Sequence, residues 1–317
     1  MLKTIKTSLT LALVVLTSTL ITSCTNKPAN ESGPGAANYE NVQSAKTLAL
    51  RAGHYGTLGQ YQKALADCNQ AINLDPKCAL AYSNRGEVYR RLGEEQRAMD
   101  DLNIAINLNP NHAGSYVNRG LIYTNMRDYA KAVADFTQAI NLDANSAPAY
   151  ANRAFAYRHL GDYKKAYEDC NASIKLNPRS PWPYANRASI WVAVKRYPQA
   201  INDANKAIKL DPGCARAYVN RGSAFGNVGQ YKAAITDLNK AISLDPKDYF
   251  AYTARGTAYH RLGQNQQAVD DYTKAISLQP KFGLAYVCRA KTYQKLGKTD
   301  LANKDIASAK QYGYKGS

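Results

Sequence analysis

From residue 45 to residue 316 the chain repeats with a fixed period of 34 residues, giving eight abutting units: 45–78, 79–112, 113–146, 147–180, 181–214, 215–248, 249–282 and 283–316. No insertion interrupts them. A period of this length leaves few folds open, because so short a unit cannot bury its own apolar face and must stack on its neighbours. The 317 residues therefore predict one quasi-linear stack, where length alone suggests two or three globular domains.

Each unit reads as two helical segments. In the unit at Ala79, the residues Tyr82, Gly86 and Tyr89 recur at i, i+4 and i+7 on one helical face, and Leu92-Gly93 ends that helix. Ala98, Leu102, Ala105 and Leu108 mark one face of a second helix, which stops at Asn109-Pro110. Proline cannot continue a helix and drives the residue before it out of the α region. Alanine stands at one place of every unit: Ala64, Ala98, Ala132, Ala166, Ala200, Ala234, Ala268 and Ala302. Only close approach of neighbouring backbones requires that, and a larger side chain there costs about 1–3 kcal/mol of overpacking.

Two polar rows accompany the packing rows. Arg51, Arg85, Arg119, Arg153, Arg187, Arg221, Arg255 and Arg289 hold the seventh place, and sixteen residues after each stands Asp67, Asp101, Asp135, Asp169, Asp203, Asp237, Asp271 or Asp305. Both rows flank buried faces, which predicts a partly buried ion-pair ladder tying helices within or between units. The sixth place carries Asn84, Asn118, Asn152, Asn186 and Asn220, flanked by Leu50, Ala254 and Cys288. One residue is 100° of helical rotation, so this row faces another surface than the arginines.

The pattern resembles the tetratricopeptide repeat across all eight units. In the unit at Ala215 the family's bulky, small, aromatic, Gly, aromatic, Ala, bulky, Ala and Pro places are held by Tyr218, Gly222, Phe225, Gly229, Tyr231, Ala234, Leu238, Ala241 and Pro246. Departures are local. Arg127 and Lys195 replace the turn Gly, Glu95, Asn265 and Thr299 the aromatic after it, and Ala144 the terminal Pro; Leu48 and Tyr314 mark irregular end units. The resemblance implies an all-α fold, a right-handed α-solenoid superhelix whose inner surface is lined by the first helix of each unit.

It also implies that the Asn row faces the concave groove, where an amide can match the N–H and C=O of an extended peptide main chain. The competing reading is that these Asn solvate the groove or bond a neighbouring turn. Along the same helices Arg90, Arg91, Arg158, His159, His260, Arg261 and Lys295, against Glu87, predict a positive groove; Leu80, Trp182, Phe250, Leu121 and Phe155 supply apolar lining. The clamp with which some three-repeat relatives hold a chaperone's two carboxylates fails here, matched only by its middle Asn and by Lys46 at one further place.

The N-terminus predicts the setting. MLKTIK is basic, Ser8 to Leu20 is apolar, and Ile21-Thr22-Ser23-Cys24 resembles a bacterial lipobox. That resemblance implies a signal peptide over 1–23, cleavage before Cys24 and lipidation of its thiol. The apolar run is shorter than the ~20 residues of a membrane-spanning helix. Residues 24–44, rich in Asn, Ser, Gly, Pro and Ala, read as a flexible linker. The expected location is a lipid anchor on a bacterial membrane, the outer one in a diderm because Thr25 is not Asp, with the repeats in the periplasm or outside the cell.

With 41 Lys+Arg against 24 Asp+Glu, a net charge of +17 of which Lys3 and Lys6 supply two, the chain favours anionic partners. Export speaks against nucleic acid. His54, His112, His159 and His260 lie in four different units, and Cys68, Cys78, Cys170, Cys214 and Cys288 have no metal-ligand spacing. Cys68 and Cys170 stand where other units have Leu102, Phe136, Leu238 and Tyr272, as small core side chains. No nucleophile motif or phosphate loop is present. The expectation is a non-enzymatic adaptor without cofactor or metal that binds an extended or acidic protein segment. The alternatives are an assembly factor for an envelope machine, working through its convex face or ends, and a binder of anionic envelope polymer or lipid.

Overall fold

The computed structural model describes residues 34–314. Cys24, the leader and the first part of the expected linker lie outside the described residues. Those residues form sixteen helices in eight pairs: α1 (Pro34–Thr57) with α2 (Tyr61–Leu74), α3 (Ala79–Leu92) with α4 (Glu95–Leu108), α5 (Ala113–Asn125) with α6 (Tyr129–Leu142), α7 (Ala147–His159) with α8 (Tyr163–Leu176), α9 (Pro181–Ala193) with α10 (Tyr197–Leu210), α11 (Ala215–Asn227) with α12 (Tyr231–Leu244), α13 (Tyr249–Arg261) with α14 (Asn265–Leu278), and α15 (Gly283–Lys295) with α16 (Thr299–Gln311). Among the described residues there is no strand, and no helix is long and apolar enough to cross a membrane. The packing divides into two units, with the boundary between Asn84 and Arg85.

One boundary differs from expectation. The linker reading to residue 44 is corrected by α1, which begins at Pro34. Proline is suited to a first helical turn, and between Gly35 and Gly53 no Gly or Pro interrupts the chain, so the helix propagates. Residues 38–44 are solvent-exposed and burial starts at Ala45, where the first repeat begins.

The turns follow from local chemistry. One or two residues beyond each first helix the backbone turns left-handed, with φ of 71–82° at Gly59, Gly93, Gly161, Gly229, Gly263 and Gly297. Arg127 and Lys195 hold the same conformation at 61° and 60° without the glycine that makes it cheap. Second helices end on an Asx turn: Asp75, Asn109, Asp143, Asn177, Asp211 and Asp245 each accept, through Oδ1, the N–H two residues on, at 2.8–3.1 Å. That bond skips the intervening residue, which is why Pro serves there and why Ala144 can replace it.

The core of seven pairs is set by two places that compensate each other, and the last unit, with Ala290 and Ile306, is the exception. A Cβ on Gly86, Gly120, Gly222 or Gly256 would stand 2.8–2.9 Å from Leu102, Phe136, Leu238 or Tyr272. Where the small place is Ala, as at Ala52, Ala154 and Ala188, the partner place holds Cys68, Cys170 or Ala204, all fully buried. The cysteines are thus the small half of a size-matched pair.

The charge ladder runs inside each pair and continues between pairs. Every seventh-place Arg donates Nε and Nη2 to both carboxylate oxygens of its Asp, from Arg51 with Asp67 at 2.6 and 2.8 Å to Arg289 with Asp305 at 2.8 Å twice. Beyond Arg85 the aspartates are 5–8% exposed and their arginines 15–21%. The remaining Nη1 reaches back to the preceding second helix: Arg119 to Asn103, Arg153 to Thr137, Arg187 to Asn171, Arg221 to Asn205, Arg255 to Asn239 and Arg289 to Thr273. The same place in the unit 283–316 is Ala307.

In the second unit first helices also meet first helices, from α5 with α7 to α13 with α15, whereas successive second helices do not meet among the described residues. The first helices therefore crowd the inner side of a curved stack.

Two outcomes are expected. Gly120→Ala destabilises by about 1–3 kcal/mol through overpacking and Phe136→Cys by about 2–4 kcal/mol through a cavity, yet in urea unfolding the double variant loses at least about 1 kcal/mol less than their sum. Additive losses would refute the size matching. Asp169→Ala leaves Arg153 without its partner and costs about 3 kcal/mol; hydrogen exchange should quicken first in α7 and α8, with α15 and α16 unaffected.

Candidate peptide groove

The inner side of the second unit holds a cavity of about 1190 Å³. Its lining comes mainly from the second, fifth, ninth and twelfth places of first helices, as with Arg216, Val219, Ser223 and Gly226 on α11. That spacing of three or four residues puts one stripe of each helix on the open side. Phe155, Arg158 and His159 come from α7, Ser189 and Val192 from α9, and Phe250, Thr253, Thr257 and Arg261 from α13.

One wall is basic and aromatic. The rings of Tyr129 and His159 stack at 4.4 Å and 9°, with Phe155 tilted against His159 at 4.5 Å. The Arg216 guanidinium lies over Phe155, 4.5 Å from the ring centre, and its Nη1 reaches Asn186 Oδ1 at 3.3 Å. Arg158 donates Nη2 to His159 Nε2 at 2.6 Å. A guanidinium carries only donors, so the imidazole must offer a lone pair at Nε2 and keep its proton on Nδ1. Burial, then Arg158, Arg216 and Arg127, accordingly push the His159 pKa down to about 4.

Neither Arg158 nor Arg216 has a carboxylate within ion-pairing distance among the described residues, and the buried Nε of Arg158 has no hydrogen-bond partner there. Burial holds both guanidiniums below their usual pKa, with the charge of Arg216 adding to the effect on Arg158. Asp248, also in the lining, is committed elsewhere: its Oδ1 caps α13 by accepting from the N–H groups of Phe250 at 2.8 Å and Ala251 at 3.2 Å. The far wall is apolar, with Tyr249, Phe250 and Phe282 packed at 4.3–5.1 Å between ring centres and Phe250 still 46% exposed.

The predicted site residues divide. Arg158, His159, Arg261, Phe155 and Phe250 come together in the cavity. Arg91 is paired with Glu87 at 2.7 Å, Arg90 is half-buried on the same helix, and His260 bonds Thr292 Oγ1 through Nδ1 at 2.9 Å. Trp182 is 53% exposed and stands outside the cavity lining. Leu80, half-buried, packs against the cluster of Ala45, Ala49 and Ala81 in the first unit, outside this cavity.

The Asn row serves largely as an internal tie. Asn84, Asn186 and Asn220 donate Nδ2 to the carbonyls of Ala49, Ala151 and Ala185, on the preceding first helix, at 2.8–3.0 Å. Asn186 and Asn220 are buried, while Asn118 and Asn152 are half-buried. The 100° step from the arginines reaches the seam between first helices, beside the open stripe, and of the row Asn220 lines the cavity. Sequence reasoning also passed over Arg216, Arg127, Tyr249 and Phe282. A signal existed for Arg216: it shares the second place with Leu80, Trp182 and Phe250, which were singled out there.

In a proton NMR titration His159 is expected to remain neutral down to about pH 4, and Arg216→Gln should move its midpoint upward. A midpoint near the ordinary 6.5 in the unaltered protein would place the guanidinium charges away from the ring.

Comparison with known proteins agrees with this architecture. Profiles of the tetratricopeptide repeat match residues 147–180 and 249–282, and 79–112 and 113–146, and a TPR repeat profile matches 55–93 and 227–263. Four of these six windows coincide with units set by the 34-residue period. No curated protein matches the chain. Among solved structures, the APC/C hetero-tetramer Cut9-Hcn1 is similar at 16% identity and a TM-score of 0.68, over 81% of this chain and 50% of that one. This chain thus spans about half of that length. A tetratricopeptide repeat protein from Parabacteroides merdae is similar at 21% identity and a TM-score of 0.52, over 86% and 94% of the two chains. The human IFIT1 dimer with m7Gppp-AAAA gives 16% identity and a TM-score of 0.60, over 84% and 68%. These likenesses concern the fold, an all-helical solenoid of paired repeats. By period, helix pairing and profile alike, the chain is a tetratricopeptide-repeat protein.

Proposed function

We propose that this protein is a non-enzymatic scaffold which binds an extended segment of another protein along the inner side of its repeats, and that it is exported and held to a bacterial membrane by a lipid on Cys24. The observation that carries the groove reading is the cavity between α7 and α15, with a cationic wall, an aromatic wall and hydroxyl groups of Ser189, Ser223 and Thr257 between them. Such a surface offers a main chain its hydrogen bonds and a side chain an apolar seat. Solenoid repeats commonly supply binding surface of this concave kind. Of the Asn row, Asn118 and Asn152 have no side-chain hydrogen bond among the described residues and remain the amides for a main chain to meet. The lipid anchor rests on the order of basic run, apolar run and Ile21-Thr22-Ser23-Cys24.

A photo-crosslinking side chain placed at Ser223, in the cavity, is expected to capture a discrete envelope protein through one short segment. The same group at Lys175, exposed on α8, is expected to capture none. Crosslinks from Lys175 alone would transfer binding to the outer face. Mass spectrometry of the purified mature chain should find a diacylglycerol-modified Cys24 at its N-terminus, and an unmodified Cys24 or an intact leader rejects the anchor.

A further inference from the structure

Ten arginines on this chain are conspicuous, and they fall into two groups. The eight of the ladder each meet both oxygens of an Asp. Arg158 and Arg216 are as enclosed, line the same cavity, and meet no carboxylate among the described residues. A desolvated guanidinium is unfavourable without an anion to complete it, and its rigid fork of N–H groups suits a carboxylate held edge-on. Arg216 lies over Phe155, 4.5 Å from the ring centre, and spends only Nη1 on Asn186 Oδ1, which leaves its Nε and Nη2 donors for a ligand. Asp248 acts on Arg216 only through space: it is outside ion-pairing distance, and its Oδ1 is held by the N–H groups at the start of α13.

The rest of the lining narrows the anion to one borne by a peptide. Ser223 brings a hydroxyl to the cavity, and the Ser189 and Thr257 hydroxyls, which donate to Asn186 O and Thr253 O, keep lone pairs that can accept from main-chain N–H groups. At its other end the Tyr249, Phe250 and Phe282 rings leave an exposed aromatic face. Arg127 stands between the two ends: it adopts the strained φ of 61° at the turn before α6, lines the cavity, and its charge acts on the Tyr249 hydroxyl.

We propose that the cavity recognises an acidic-aromatic peptide motif, with a Glu or Asp carboxylate seated between Arg158 and Arg216 and a nearby Phe or Leu packed on Tyr249, Phe250 and Phe282. This rests on the groove reading and gives it a ligand chemistry. The carboxylate supplies the counter-charge that the chain withholds, so binding depends on the anion and on the fork, beyond general positive charge. His159, neutral while the two guanidiniums stand uncompensated, becomes easier to protonate once an anion lies beside them.

The test uses the mature full chain and three pools of acetylated, amidated heptapeptides, random except for a fixed Glu-x-Phe, Gln-x-Phe or phosphoserine-x-Phe core. By fluorescence anisotropy the Glu pool should bind at least tenfold more tightly than the Gln pool. Arg158→Gln and Arg216→Gln should each erase that difference without abolishing binding of the Gln pool, and Phe250→Ala should weaken both pools alike. For variants that lose helicity by circular dichroism, the unaltered protein answers instead: the His159 midpoint should rise when the Glu pool is added and stay fixed with the Gln pool. Equal affinity for the Glu and Gln pools overturns the carboxylate seat and leaves the groove reading standing. Preference for the phosphoserine pool by tenfold or more overturns it in favour of a phosphate site. Binding of no pool, together with no crosslink from Ser223, overturns both readings.

Discussion

The structure depends on one planar cation used in three directions. A guanidinium at the seventh place of each first helix fixes the second helix of its own unit through two N–H bonds to Asp. Beyond Arg85 its remaining Nη1 holds the second helix of the unit before. Lysine could not do this, since its single ammonium has no fixed fork. Both angles of the stack, within a pair and between pairs, are therefore set by the same side chain. The aspartates it meets are nearly out of water, so loss of either partner leaves an isolated charge in a poor environment. The ladder adds orientation more than it adds net stability.

The same economy shapes the inner surface. Eight of the 24 acidic residues are committed to the ladder, which leaves the open side of the first helices with cations that the chain does not neutralise. Arg158 and Arg216 are the enclosed examples, and the aromatic rings around them keep water away while accepting their faces. Packing and recognition thus draw on one residue type in two states of completion. The structural copies are satisfied by the fold, and the inner copies are left for something else to satisfy.

Much of the architecture was legible because it rests on repetition. The 34-residue period, the Ala row, the Gly and Pro punctuation and the Arg–Asp spacing each report a contact made many times, and one unit read carefully stands for the others. The candidate site was less legible because it is made once. Arg216, Tyr249 and Phe282 lie in different units and at places where the other units carry unlike residues, such as Leu80, Ala215 and Cys214, so periodicity dilutes them. The Asn row divided, with Asn84, Asn186 and Asn220 bonded to the preceding first helix. Its helical phase was right, but phase alone does not distinguish the seam between two first helices from the open stripe beside it. At the N-terminus, composition taken over Thr25–Ser44 averaged a Gly- and Pro-rich part with a helix-tolerant one and hid where α1 begins.

The size matching inside seven of the pairs bears on how such a chain can grow. Gly120 accepts Phe136 and Ala154 accepts Cys170, but the crossed combinations would leave one pair clashing and the other hollow. A first helix is therefore bound to its own second helix as an inherited pair. Recombination with a breakpoint inside a unit tends to separate matched halves, whereas a breakpoint between units keeps them together. Lineages of this chain should accordingly lengthen or shorten in whole 34-residue steps, with the pair, and neither helix alone, as the heritable module.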